Sequence, residues 1–241
     1  MPAASQPFPQ PVGYPVPDWA ARSRPPREAM AGRYCRLEPV DVERHGAQLY
    51  QAFSLQLDDR NWTYTYAGPF PDEASYLAYT RKVQGQDDPQ HYAVIDLTSE
   101  RAVGTLAAMR IDPSNGAMEV GSVYYSPLLK RTPAATEAQY LLMRRAFDEL
   151  GYRRYEWKCD SLNAASRDAA RRLGFQFEGI FRQAAVYKGR NRDTAWFSII
   201  DSEWPAVRLG MEQWLAPENF DAKGVQREKL GDMIAAARKF P

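Results

Sequence analysis

Between His91 and Ser126 three β-rich runs follow one another almost without pause, and a long amphipathic helical pattern begins shortly after the last. The runs HYAVIDLTSE, RAVGTLAAMRIDPSNG and AMEVGSVYYS are divided only by turn chemistry, at Ser99–Glu100 and at the Asp112-Pro-Ser-Asn-Gly116 cluster. Connections that short join antiparallel neighbours, so a three-stranded meander is predicted. The segment TPAATEAQYLLMRRAFDEL then offers Thr132 as a cap, proline at the first helical position, apolar residues at helical spacing and Gly151 as a stop.

The rest of the chain fits around that unit. Upstream, RYCRLEPV reads as a strand, Asp41 caps the helical run VERHGAQLYQAFSLQ, and the aromatic loop DDRNWTYTYAGPF leads to a second helix, EASYLAYTRKV, with Asp72 and Glu73 at its positive end. Downstream come the strand YRRYEWKC, a short helix NAASRDAARRL closed by Gly174, and the hairpin FQFEGIFRQAAVYKGRNRDTAWFSII turning near Gly189 to Asn191. The expectation is an α/β fold with a mixed, mostly antiparallel sheet of about six to seven strands flanked by helices.

Three segments follow. Residues 1–30 are crowded with proline, which fixes φ and removes amide donors, and read as a flexible arm or as a docking segment using Tyr14 and Trp19. Residues 31–202 form one domain. Residues 203–241 carry two more amphipathic patterns, around Trp204 and Trp214 and over VQREKLGDMIAAARKF, expected as packing on the domain or as the surface of a homodimer.

Charge and cysteine content exclude several classes. With 31 Lys and Arg against 30 Asp and Glu, the net charge of +1 generates no field that would hold nucleic acid or an anionic membrane. Arg144, Arg145, Arg153, Arg154, Arg171 and Arg172 have acidic neighbours and read as solvated surface. Cys35 and Cys159 lie far apart without metal or redox spacing, which suits packing roles in a reducing compartment. No apolar run approaches a membrane helix and the start lacks signal-peptide order, so a cytoplasmic protein is expected, without metal or nucleic-acid partner.

Three local motifs carry chemistry. At LLKRTPAATEA a helix begins directly after a strand; Ala134 and Ala135 are small, while Lys130, Arg131 and the hydroxyls of Thr132 and Thr136 supply donors suited to an anion, although an ordinary capped helix uses the same residues. In NAASRDAARRLGFQFEG, Asn163 opens a short helix that Leu173-Gly174-Phe175 ends. Glu119 lies in the third strand run, eleven positions before Lys130; it is either a carboxylate aimed into a cleft or a solvated strand-edge charge.

With the order of elements over roughly residues 33–201, these motifs resemble the GNAT N-acetyltransferases, in particular their RimJ/RimL-type branch. The resemblance implies acetyl-coenzyme A as donor, its diphosphate at Lys130–Thr136, its pantetheine arm along Val123, Tyr124 and Tyr125 and at Asn163, and Glu119 and Ser166 as proton-handling residues. Three departures stand out: Pro133 occupies a place usually held by glycine, Ala170 that of a frequent tyrosine, and Ala185 that of an acid found in some relatives after the Arg182-Gln183 pair. The acceptor would be a primary amine, of a small molecule or a protein N-terminus, and Trp62, Tyr64, Tyr66 and Phe70 are the candidates to receive it. A non-catalytic acyl-coenzyme A-binding or partner-binding module on the same scaffold is the alternative.

Overall fold

The computed structural model describes residues 10–239; residues 1–9 of the Pro-rich segment and the last two residues lie outside them. Eight strands form a single sheet: β1 (Met30–Ala31), β2 (Cys35–Pro39), β3 (Gln90–Asp96), β4 (Arg101–Asp112), β5 (Ala117–Tyr125), β6 (Arg154–Asp160), β7 (Gln176–Tyr187) and β8 (Arg190–Ile200). Their spatial order is β1-β2-β3-β4-β5-β6-β8-β7, and every neighbouring pair is antiparallel except β5 with β6. The predicted meander is β3–β5. The parallel pair follows from the one long crossover, in which helix α3 (Pro133–Arg144) carries the chain back to the start of β6.

β5 and β6 stay together for four residue pairs only, Ala117–Val120 with Arg154–Trp157. Beyond Val120 the β4–β5 register shifts and Ser122 adopts φ 48°, a bulge that turns β5 away from its parallel neighbour. The sheet therefore opens like a V at its centre.

Both faces are covered, which is why β3 reads as a continuous buried run and not as an alternation. On one face α3 buries Ala138, Leu141, Leu142 and Met143 against Leu106, Met118 and Phe197, and the same core extends into α4 (Ala164–Arg172), α5 (Trp204–Trp214) and α6 (Leu230–Ala237). On the other, α1 (Ala47–Ser54) and α2 (Glu73–Val83) enclose Leu49, Phe53, Trp62 and Tyr76 over Ala93 and Ile95. Glu137, buried on α3, accepts the amide N–H groups of Arg33, Tyr34 and Cys35 at 2.7, 2.6 and 2.8 Å and so satisfies the bend between β1 and β2.

Both terminal segments make contacts within the chain. The Pro-rich segment is laid along the domain from Tyr14 to Glu28: Trp19 donates to the Ser114 carbonyl at 2.9 Å, Tyr152 OH to that of Ser23 at 3.0 Å, and Arg145 to that of Glu28 at 2.9 Å. Prolines cannot build a ladder, but their free carbonyls serve as acceptors for donors on the domain. Trp204 and Trp214, expected as packing on the domain or as part of a homodimer surface, are buried within the chain, at 4% exposure each. Arg145, expected on the surface, is likewise buried and accounted for by its contacts to the arm and by Glu149. Both cysteines are buried and free, and burial raises both thiol pKa values. Among the described residues no helix is long and apolar enough to cross a membrane.

Candidate active site

Where β5 and β6 part, a cavity opens on each side of the sheet, of about 890 Å³ beside α3 and α4 and about 710 Å³ beside α2 and β8. The two share Tyr64, Thr65, Val123, Trp157, Asn163 and Ser166 in their walls. Strand alternation distributes the expected residues of β5: Tyr125 faces the larger cavity, Tyr124 the smaller one, and Val123 stands at the junction.

The α3 start forms one end of the larger cavity. Thr132 caps the helix, its Oγ1 accepting the Ala135 N–H at 3.3 Å and donating to the Leu129 carbonyl at 2.7 Å. Because Pro133 has no N–H and that of Ala135 is capped, the helix end presents few amides and positive charge must come from side chains. Lys130 and Arg131 line this end, together with Ala135 and Thr136, whereas Ala134 is buried in the core beneath. Lys130 Nζ donates to Asn61 Oδ1 at 2.8 Å, and partial burial lowers its pKa.

Arg172 joins them unexpectedly. It stays exposed at the rim of the cavity, where its guanidinium lies 4.9 Å from the Trp214 ring and donates to Thr136 Oγ1 at 3.1 Å, and partial desolvation lowers its pKa. Spacing held the signal: Ser166, Ala169 and Arg172 recur at three-residue intervals and share one helix face. The wall is completed by Gln139, whose Nε2 donates to Tyr125 OH at 2.8 Å while its Oε1 is buried without a protein partner among the described residues, and by Phe220 and Gly224–Gln226 of the tail.

At the junction Asn163 Oδ1 accepts the Ser166 N–H at 3.1 Å, so the side chain is spent partly on capping α4. Trp157 Nε1 donates to Ser166 Oγ at 3.0 Å.

In the smaller cavity Glu119 is 5% exposed and lies 2.9 Å from Lys158 Nζ and 3.0 Å from Arg110 Nε. Burial raises its pKa above the ordinary carboxyl value, opposed first by Lys158 and then by Arg110. Lys158 also meets Glu156 at 2.7 Å and sits 3.7 Å over the Trp196 ring. His91, in the same wall, is held neutral, with its pKa lowered to about 4 by burial.

Of the four aromatic candidates, Tyr64 and Tyr66 line this cavity. Trp62 and Phe70 turn inward and pack edge to face at 5.3 Å in the core under the loop, away from the junction. Lys158 and Arg192 were not anticipated. β6 alternates polar with apolar residues in EWKC, which marks a polar face without saying that it borders a cavity, and β8 opens with the polar run RNRDT, which singles out no face.

The family model described as an acetyltransferase (GNAT) domain matches residues 36–176. A crystal structure of a GCN5-related N-acetyltransferase from Brucella melitensis superposes with TM-score 0.90 at 49% identity, over 91% of this chain and all of that one. A probable GNAT-family acetyltransferase from Chromobacterium violaceum does so with TM-score 0.75 at 45% identity, over 83% of this chain and all of that one. The uncharacterized N-acetyltransferase p20 of Bacillus licheniformis is 31% identical over 117 residues, 47% of this chain and 63% of that relative's length, so the chain spans under two thirds of it.

Proposed function

The chain belongs to the GNAT acetyltransferase family, and from that premise we propose that it transfers an acetyl group from acetyl-coenzyme A to a primary amine by direct attack in a ternary complex. The observation that carries this reading is the junction itself: two cavities on opposite sides of one sheet meet where β5 and β6 part, so donor and acceptor approach the same point from opposite directions. The sequence Leu173-Gly174-Phe175, followed by Glu178-Gly179 and Arg182-Gln183, supports the RimJ/RimL-type branch.

The α3 side suits the donor. Lys130, Arg131 and Arg172 would hold the diphosphate where Pro133 has thinned the amide supply, and the unpaired Gln139 Oε1 would accept an amide N–H of the pantetheine arm. Acetyl-coenzyme A supplies a thioester whose carbonyl carbon the amine attacks and whose sulfur leaves with the bonding pair. Glu119 takes the proton that the amine must lose, and its raised pKa brings it closer to that of its task. Ser166 already accepts the Trp157 N–H, so its own hydrogen is free to bond the departing sulfur. A hydroxyl acts there as a hydrogen-bond donor and not as a full acid, which an aminolysis driven mainly by positioning tolerates.

Calorimetric titration with acetyl-coenzyme A tests the reading, with the Asn163→Ala, Ser166→Ala double variant as comparison. One-to-one binding that weakens in the variant is expected; no binding by the unaltered chain at millimolar ligand would reject the donor site.

A further inference from the structure

The acceptor-side cavity contains a buried cation that the acetyl-transfer reading does not use. Arg192 is 9% exposed and lines that cavity. Its Nε donates to Thr194 Oγ1 at 3.1 Å, and among the described residues no carboxylate stands within ion-pair distance of its guanidinium. The rings of Tyr66 and Tyr187, 5.3 and 5.7 Å from the guanidinium carbon, fix its plane. Burying a cation against one neutral hydroxyl is costly, and an anion arriving in the cavity would remove that cost.

The neighbouring charged groups are already engaged. Asp160, on the adjacent strand, accepts Tyr187 OH at 2.8 Å and the Leu162 N–H at 2.9 Å. Asp193 takes the Gln183 N–H at 2.7 Å and points to the other face of β8. Glu119 is shared by Lys158 and Arg110, Glu156 by Lys158 and Arg154, and His91 is neutral. Lys82 stands exposed in the same wall and adds positive charge.

Resting on the transferase reading above, we propose that Arg192 recognises a carboxylate and that the acceptor is a small amine carrying one. The cavity of about 710 Å³ is the size of a small-molecule site. Thr194 pairs with Asp160, three residues past Trp157, the last residue of β6 that pairs with β5, and Arg192 lies two residues further, about 7 Å along β8. The same cavity wall holds Arg192 together with Val123 and Ser166 of the junction, so a small amine placed at the junction directs its carboxylate into the space that the guanidinium borders. A planar guanidinium fork pairs bidentately with a carboxylate, and aminoalkyl phosphates distinguish that anion from a phosphate.

The test measures acetyl-coenzyme A consumption by the full chain with α-amino acids, ω-amino acids and dipeptides, each beside its C-terminal amide, and with aminoalkyl phosphates. Free acids should exceed their amides in kcat/KM by at least about tenfold. Arg192→Gln should bring each pair within about twofold, through a higher KM for the acids alone, and Arg192→Lys should fall between; acetyl-coenzyme A affinity measured by calorimetry should stay unchanged and so report intact folding. Should Arg192→Gln fail to fold, Arg192→Lys carries the comparison. Equal turnover of acids and amides, a preference that survives Arg192→Gln, better turnover of aminoalkyl phosphates, or no turnover of any acid by a chain that still binds acetyl-coenzyme A would each overturn the proposal while leaving the transferase reading in place. Loss of acetyl-coenzyme A binding by the unaltered chain would overturn both.

Discussion

The two cavities that meet at the parting strands are built by different means. The larger is framed by local structure: a capped helix start at Thr132, a second capped start at Asn163, and the strand end at Tyr125. The smaller is framed by side chains brought together through the sheet, with Glu119 from β5, Lys158 from β6 and Arg192 and Trp196 from β8. Caps and helix ends are written within a few adjacent residues, whereas a face shared by three strands depends on their register. A donor that is common to a family can be held by the first kind of wall; the second kind is free to vary with the acceptor.

The sharpest way to break this contrast is to alter one side and look for an effect on the other. Glu119→Gln removes the carboxylate from the acceptor side and should lower kcat by about a hundredfold or more, within the range for a lost general base, with acetyl-coenzyme A affinity unchanged. The pH profile carries the sign. Burial raises the Glu119 carboxyl above its ordinary value of 4.5, so the base form disappears as pH falls through that raised value. The acid limb of kcat/KM should therefore lie above pH 4.5 in the native chain and vanish in the variant. A limb that persists in Glu119→Gln would assign the proton to another group.

The reverse experiment is Arg172→Ala. Losing the guanidinium beside Thr136 and over Trp214 should weaken acetyl-coenzyme A binding by about tenfold, the scale of one charge-assisted contact, while the preference among amines stays as it was. A changed amine preference would mean that the two walls are not separable.

What could be read from sequence follows the same division. The meander, the caps at Thr132 and Asn163 and the stops at Gly151 and Gly174 were legible because each is set by neighbours in the chain. Arg172 was read as surface and is exposed; only the position of Trp214, forty-two residues later, makes it a wall residue as well. Trp62 and Phe70 looked equivalent to Tyr64 and Tyr66 in one loop, yet the loop folds over its own apolar members and leaves the hydroxylated ones facing the cavity. The arm was the hardest to read, since its partners, from Gln86 and Gln90 to Ser114 and Tyr152, lie 59 to 139 residues away in the chain.

That arm supplies the smallest effect and a control for the others. Trp19 rests against Gly116, donates to Ser114 and lies between the guanidinium groups of Arg22 and Arg153, 4.7 and 5.6 Å away. Gly116 accepts the N–H groups of Arg153 and Arg154, so the ring clamps the end of β5 and β6 at which they are still paired. Trp19→Ala removes one hydrogen bond and two cation–π contacts and should cost about 1–2 kcal/mol, a fall in Tm of roughly 2–8 °C for a chain of this length. Since the clamp touches neither cavity, acetyl-coenzyme A affinity and amine turnover should each change by less than about twofold, as sites without shared contacts behave. A larger loss confined to one side would show that the closed end of the V sets the width of that side alone; an equal larger loss on both would place the arm in control of the opening itself.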